Sequence, residues 1–200
     1  QNMVPPPDAE YFALRFTPDE EYVYFLEYRT DNDLLALYTV PTLGGTTRKI
    51  LTGLNSPITL SPDGRRLAFT RIDREKQEVA LMVANADGSD IRTLATRAFP
   101  LFLNNPAWAP DGKFIACASV NFGSSSNSAT VVAISLADGA EQPMTSTRWH
   151  EARQLAWLAD GSGLMLTVTD QELSPVQIWR LAYPSGDAQR VTNDLNSYQC

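Results

Sequence analysis

Four acidic turns, each closing a short apolar run, recur along the chain: Phe16-Thr17-Pro18-Asp19-Glu20, Leu60-Ser61-Pro62-Asp63-Gly64, Trp108-Ala109-Pro110-Asp111-Gly112 and Trp157-Leu158-Ala159-Asp160-Gly161. The Asp positions lie 44, 48 and 49 residues apart, and a glycine turn follows each at nearly constant distance, at Gly45, Gly88, Gly139 and Gly186. A fixed period in this range is that of stacked β-blades, each burying its flat sides only against its neighbours. The expected fold is therefore all-β, a β-propeller of four-stranded antiparallel blades with about four blades present.

The second unit shows the grammar. Pro57 to Leu60 reads as a short innermost strand, and Ser61-Pro62-Asp63-Gly64 as a turn in which Pro presets φ and Gly accepts a positive one. Arg66 to Thr70 alternates, Val79 to Val83 is an apolar run suited to burial on both faces, and Ile91 to Leu94 is a polar outer edge. Asn85-Ala86-Asp87-Gly88 is the hairpin between the last two strands. The same pattern places blades at 11–54, 55–96, 103–146 and 152–192 of a single domain spanning 1–200. No segment carries ten residues of helical periodicity with caps.

Leu54-Asn55-Ser56 recurs as Leu195-Asn196-Ser197, so 195–200 reads as the start of a further blade and the chain as part of a larger propeller of six to eight blades. Open blade edges are an association hazard; if the 200 residues are the whole polypeptide, a homodimer through those edges closing one eight-bladed ring would remove it.

The expected core comprises Phe25, Leu37, Phe69, Leu81, Met82, Ile115, Val132, Ile134, Leu166, Ile178 and Leu181, with Trp108 and Trp157 packed at blade junctions. Equal spacing of Asp19, Asp63, Asp111 and Asp160 argues that these carboxylates cap turns in separate blades instead of pairing for acid–base chemistry.

A net charge of −7, with thirteen Arg, three Lys and no basic run, gives no source for the counterion release that drives nucleic-acid binding. Phe114 to Ala137 is uncharged, but its central Asn and Ser residues exclude a membrane-inserted helix. One His and two Cys are poor material for zinc, Asp31-Asn32-Asp33 alone is a weak calcium loop, and a Gly-x-Ser-x-Gly elbow is lacking. Neither a cofactor, a metal nor a catalytic residue is expected, and the partner class that remains is protein or peptide. Cys117 and Cys200 leave the redox state open.

In a four-stranded blade the loop between the second and third strands and the crossover to the next blade emerge on one face, where function is best sought. Two crossovers stand out. Thr96 to Asn105 sets Phe99 and Phe102 beside Arg97 and Asn105, and Ser146 to Glu151 brings Trp149 and His150. These six are the candidate ligand- or partner-binding residues. The simpler reading is that apolar loop residues plug the channel mouth. Gly123 to Ser128 reads as a flexible hairpin tip.

Leu-Ser-Pro-Asp-Gly at 60–64, Trp-Ala-Pro-Asp-Gly at 108–112 and Ala-Asn-Ala-Asp-Gly at 84–88 resemble the WD-repeat-like blades of TolB-type propellers. The wording of Tyr38 to Gly45, Ser56 to Gly64 and Val191 to Leu195 resembles the C-terminal propeller of bacterial membrane-bound serine/threonine kinases and related winged-helix regulators. That resemblance implies a sensor or scaffold in a periplasmic or other extracytoplasmic position, with catalysis in another domain, although a cytoplasmic position stays open. It supplies no catalytic residue. The first blade departs from the pattern with Asp19-Glu20, and the fourth with Ala159 in place of Pro. Two rival readings are the gating propeller of a prolyl-oligopeptidase-like serine peptidase and an envelope protein like TolB.

Overall fold

A computed structural model describes residues 9–29, 35–123, 127–194 and 196–198. Among these residues there are sixteen strands and no helix. The first blade is β1 (Ala9–Phe16), β2 (Tyr22–Arg29), β3 (Leu35–Pro41) and β4 (Arg48–Leu54). The second is β5 (Thr59–Leu60), β6 (Arg66–Asp73), β7 (Glu78–Asn85) and β8 (Arg92–Ala98). The third is β9 (Leu101–Trp108), β10 (Phe114–Asn121), β11 (Ser128–Ser135) and β12 (Glu141–Pro143). The fourth is β13 (Glu151–Trp157), β14 (Gly163–Thr169), β15 (Gln177–Ala182) and β16 (Ala188–Arg190).

Each set of four forms its own antiparallel sheet in chain order, and the four sheets stand as propeller blades around a common axis. Asp31-Asn32-Asp33, Ser124 to Ser126, Leu195 and Cys200 lie outside the described residues.

Period-two alternation turns each blade into a two-faced plate. In the second blade, Leu67, Phe69 and Ala84 point back to the first, where they meet Tyr24, Leu26, Leu37, Leu51 and Leu54. Ala68, Leu81 and Val83 point forward onto Leu103, Trp108, Ile115, Cys117, Val132 and Ile134 of the third. Ala116, Ala118 and Val131 then meet Leu155, Leu164, Leu166 and Leu181 of the fourth. Burying one such Leu or Phe contributes roughly 2 kcal/mol, so three dry junctions hold the body together.

Eight of the eleven expected core residues are buried, and Phe25, Met82 and Ile178 are only half-buried. Phe25 faces away from the second blade and Ile178 away from the third, so neither has a neighbouring sheet to close on it. Met82 lies beside the outer strand, where its sulfur accepts a bond from Thr93 Oγ1 at 3.5 Å. Trp108 is buried and Trp157 half-buried, both at junctions as their repeat position predicts.

The four Asp turns share one construction. Asp19, Asp63, Asp111 and Asp160 each accept a bond from the backbone N–H two residues on, at 3.0, 3.1, 2.9 and 2.9 Å. Hydroxyls of Thr17 and Ser61 add to this in the first two. Donation to the ionised form holds Asp19 below the usual carboxylate range chiefly through Thr17, Asp63 chiefly through Ser61, and Asp160 chiefly through the Ser162 backbone.

The hairpin glycines do a different job. A methyl group on Gly88 would sit 2.7 Å from the Ile50 carbonyl oxygen, and one on Gly186 would sit 2.6 Å from that of Met144. Gly139 is pressed in the same way against the carbonyl of Leu94. Each hairpin therefore leans on the outer strand of the preceding blade, at a distance only a residue without Cβ tolerates.

Candidate functional site

Two places on the molecule gather exposed recognition groups. The first is the aromatic cluster where the second blade crosses to the third. Phe99 stacks on Phe102 with centroids 4.7 Å apart, and Phe122, from the loop after β10, meets Phe102 edge-on at 5.2 Å. Phe122 N–H donates to Pro100 O at 3.1 Å, which ties the loop to the crossover. Phe122 is 47% exposed and neighbouring Leu101 39%, so the cluster presents aromatic surface on a fixed backbone.

The second place is the axis. The innermost strands carry register shifts between Phe12 and Arg15, between Asn104 and Ala107 opposite Ala116 and Ala118, and between Ala152 and Leu155. Bulges re-aim side chains. Here they help line a 520 Å³ cavity whose walls include Arg15, Ile58, Asn105 and Gln154, one from each blade. Asn105 takes a left-handed φ of 49°, a conformation Asn adopts more readily than most residues. A guanidinium and two amides around an apolar floor can hold a carboxylate or peptide group.

The six candidate residues do not converge. Phe99 and Phe102 share the aromatic cluster, and Asn105 reaches the axial cavity. Arg97 forms an ion pair with Glu141, joining the outer strands of the second and third blades at the rim. Trp149 is 3% exposed and packs edge-on to Trp179 at 5.7 Å in the core between the third and fourth blades. His150 is half-buried, and its backbone N–H donates to Asp170 O at 3.3 Å.

Arg15, Phe122 and Gln154 extend the two places. Phe122 was not among the expected residues, its one signal being that it adjoins the tip read at Gly123 to Ser128, and Arg15 and Gln154 depend on bulges that leave no mark in the repeat. Burial pushes the Cys117 thiol up to about 12, which keeps it protonated and unreactive at neutral pH. Among the described residues no group of three or more His, Cys, Asp or Glu could hold a metal ion, and no helix is long and apolar enough to cross a membrane.

No family model matches the chain, and no curated protein matches it. Solved structures do. TolB from Acinetobacter baumannii superposes with a TM-score of 0.74 at 18% identity, over 92% of this chain and 44% of that one. A putative TolB from Agrobacterium tumefaciens gives 0.66 at 16%, over 92% and 81%. A prolyl endopeptidase gives 0.61 at 15%, over 96% of this chain and 31% of that one. The chain thus spans less than half of the first of these structures. At such identities the likeness is one of fold: TolB-like β-propellers.

Proposed function

We propose that the chain is a β-propeller module that binds a protein or peptide and catalyses nothing by itself, acting as the sensory or scaffolding part of a bacterial signalling protein outside the cytoplasm. The observation that carries this reading is the Phe99, Phe102 and Phe122 cluster, part-exposed aromatic surface that the short crossover after β8, the start of β9 and the loop after β10 bring together on a rigid scaffold. Loops on such a scaffold are where recognition concentrates, and stacked aromatic side chains supply contact area at low cost in side-chain entropy. The signalling context and the extracytoplasmic placement rest on the resemblance of the blade motifs to kinase-linked propellers.

The test is to pan a displayed peptide library on the chain and measure the affinity of retained clones for the Phe99→Ala/Phe102→Ala/Phe122→Ala variant. A loss of roughly tenfold or more is expected for loss of central aromatic contacts. A milder Leu101→Ser/Phe122→Ser variant, changed only at exposed positions, guards against misfolding. Unchanged affinity in both would overturn this face as the binding surface.

The fold likeness to a prolyl endopeptidase favours a second reading, a gating propeller beside a hydrolase domain. The neighbouring coding sequence separates the two. A membrane span with a kinase domain supports the first, and a domain with a Gly-x-Ser-x-Gly elbow supports the second.

A further inference from the structure

Where β7 and β8 of the second blade face the first, the repeat leaves a groove of 710 Å³, outside both recognition places described above. Its walls include Asn55, Arg71, Arg74, Ala80, Met82 and Thr96. Strand register sets Arg71 opposite Ala80 and Phe69 opposite Met82, just as Val168 is opposite Gln177 and Leu166 opposite Trp179 in the fourth blade. In the fourth blade these positions are filled: Val168 and Gln177 are buried, and Trp149 packs edge-on to Trp179. In the second, the smaller Ala80 and Met82 are half-buried and leave the same space open.

Arg71 is the fixed cation of this groove. One guanidinium N–H donates to the Thr52 carbonyl of the first blade at 3.0 Å, and the group lies 5.2 Å over the Phe69 ring. It is half-buried, and burial holds it below the ordinary arginine range. No carboxylate of the described residues pairs with it. A cation held partly out of water without a counter-charge is compensated when a ligand carboxylate takes up its remaining donors. Beside it, the Asn55 side-chain oxygen accepts from Ile72 N–H at 2.8 Å, so the amide nitrogen of Asn55 is left to donate.

Asp73 and Glu78 also border the groove. Asp73 is engaged within its own hairpin, where it accepts from the backbone N–H groups of Glu75 and Lys76 and pairs with Lys76 Nζ at 3.1 Å. Arg71 and Arg74 therefore stand against Glu78 alone, a positive local balance in a chain of net charge −7. The same hairpin abuts the aromatic cluster, since Phe99 N–H donates to Gln77 O at 2.9 Å. Thr96 in the groove and Phe99 in the cluster are three residues apart, about 10 Å of extended chain.

We infer that the groove takes an acidic side chain of the same peptide segment whose apolar side chain sits on Phe99, Phe102 and Phe122. This rests on the aromatic face being the binding surface. Groove and cluster flank the hairpin between β6 and β7, so one extended segment crossing that hairpin reaches both, with its two anchors within about five residues of each other. A carboxylate there gains the free donors of Arg71, Arg74 and Asn55, whereas a Lys or Arg would bring like charge against Arg71 and Arg74. The recognised stretch of the partner is therefore acidic beside an apolar anchor.

The displayed-peptide clones retained by the chain test this. Their sequences should place Asp or Glu within about five residues of an aromatic or aliphatic residue. Their affinity should fall roughly tenfold in Arg71→Met, which removes the charge and keeps an apolar stem beside Phe69. It should fall as far in Met82→Trp, which gives the second blade the side chain that the fourth carries at this position. Arg74→Ser, at an exposed position, guards against misfolding and should weaken binding in the same direction. Affinity should also drop as salt rises from about 50 to about 500 mM. Clones that lose affinity in Phe99→Ala/Phe102→Ala/Phe122→Ala but keep it in all three groove variants would overturn the groove and leave the aromatic face standing. Clones weakened by the groove variants and indifferent to the aromatic one would overturn the shared segment and the aromatic face together. Clones without acidic residues, or none retained, would overturn the acidic partner.

Discussion

The junction between the third and fourth blades and the outward face of the first are built from the same positions of the repeat. Leu164, Leu166 and Leu181 in the one, and Val23, Phe25 and Val40 in the other, all lie on the faces that look back along the chain. The former are at most 1% exposed, and the latter are half-buried. Apolar identity at a repeat position therefore does not make a residue core; the presence of a neighbouring sheet does. A blade is a surface until another blade lies on it.

The largest expected effect that tests this contrast comes from cutting side chains on either face. Leu166→Ala should cost about 3 kcal/mol in urea unfolding, from lost burial plus a cavity that its neighbours cannot fill. Phe25→Ala should cost about half of that, because the ring is only half-buried and packs on Tyr11 and Tyr38 of its own blade with no second sheet over it. Equal losses would show that something covers the first blade.

Next in size is the contrast between two glycines of matching backbone. Gly139 and Gly112 have φ of 71° and 72°, yet a methyl group on Gly112 meets nothing within 4 Å while one on Gly139 is driven into the carbonyl of Leu94. Gly112→Ala should show the left-handed strain alone, about 1 kcal/mol. Gly139→Ala should cost about twice that or more, since the hairpin must lift off the preceding blade. The difference between the two midpoints in a denaturant titration isolates the lock.

The smallest effect concerns acid. The depressed carboxyl of Asp63 stabilises the fold above its unfolded value, near pH 3.9, and that contribution disappears as pH falls through the lower folded value. Asp63→Asn should therefore lower stability at pH 7 by a few tenths of a kcal/mol, discounted for the exposed setting, and should leave stability at pH 2 unchanged. A loss that persists at pH 2 would place its cause in the turn geometry and not in the charge.

Much of the architecture was legible in the sequence because the turn Asp and the hairpin Gly are local chemistry repeated four times, and each fixes the direction of a strand pair. Trp108 and Trp157 were assignable to junctions on that basis alone. Phe25 and Ile178 were expected in the core because the repeat cannot say which blade lacks a neighbour. Of the candidate recognition residues, Phe99 and Phe102 could be read as neighbours because they sit three apart, although the expected crossover from Thr96 to Asn105 is mostly strand: β8 runs to Ala98 and β9 starts at Leu101, which leaves Phe99-Pro100 as the connection and puts Phe102 and Asn105 on β9. Their third partner, Phe122, comes from the loop after β10, which only the folded crossover brings near. Trp149 looked like a loop aromatic, yet the bridge between Ala129 and Trp149 draws it under the third blade, where it packs as core. Arg15 and Gln154 reach the axis through bulges, and a bulge is decided by strain between sheets that no local motif records.

The way Gly88, Gly139 and Gly186 rest on backbone oxygens has an evolutionary corollary. A clasp made from main-chain atoms is indifferent to which side chains its partner bears, provided the glycine persists. Copies of such a unit can be duplicated, swapped or left to drift in composition without losing the way they seat on one another. Lineages that share little wording can then keep the same stacking.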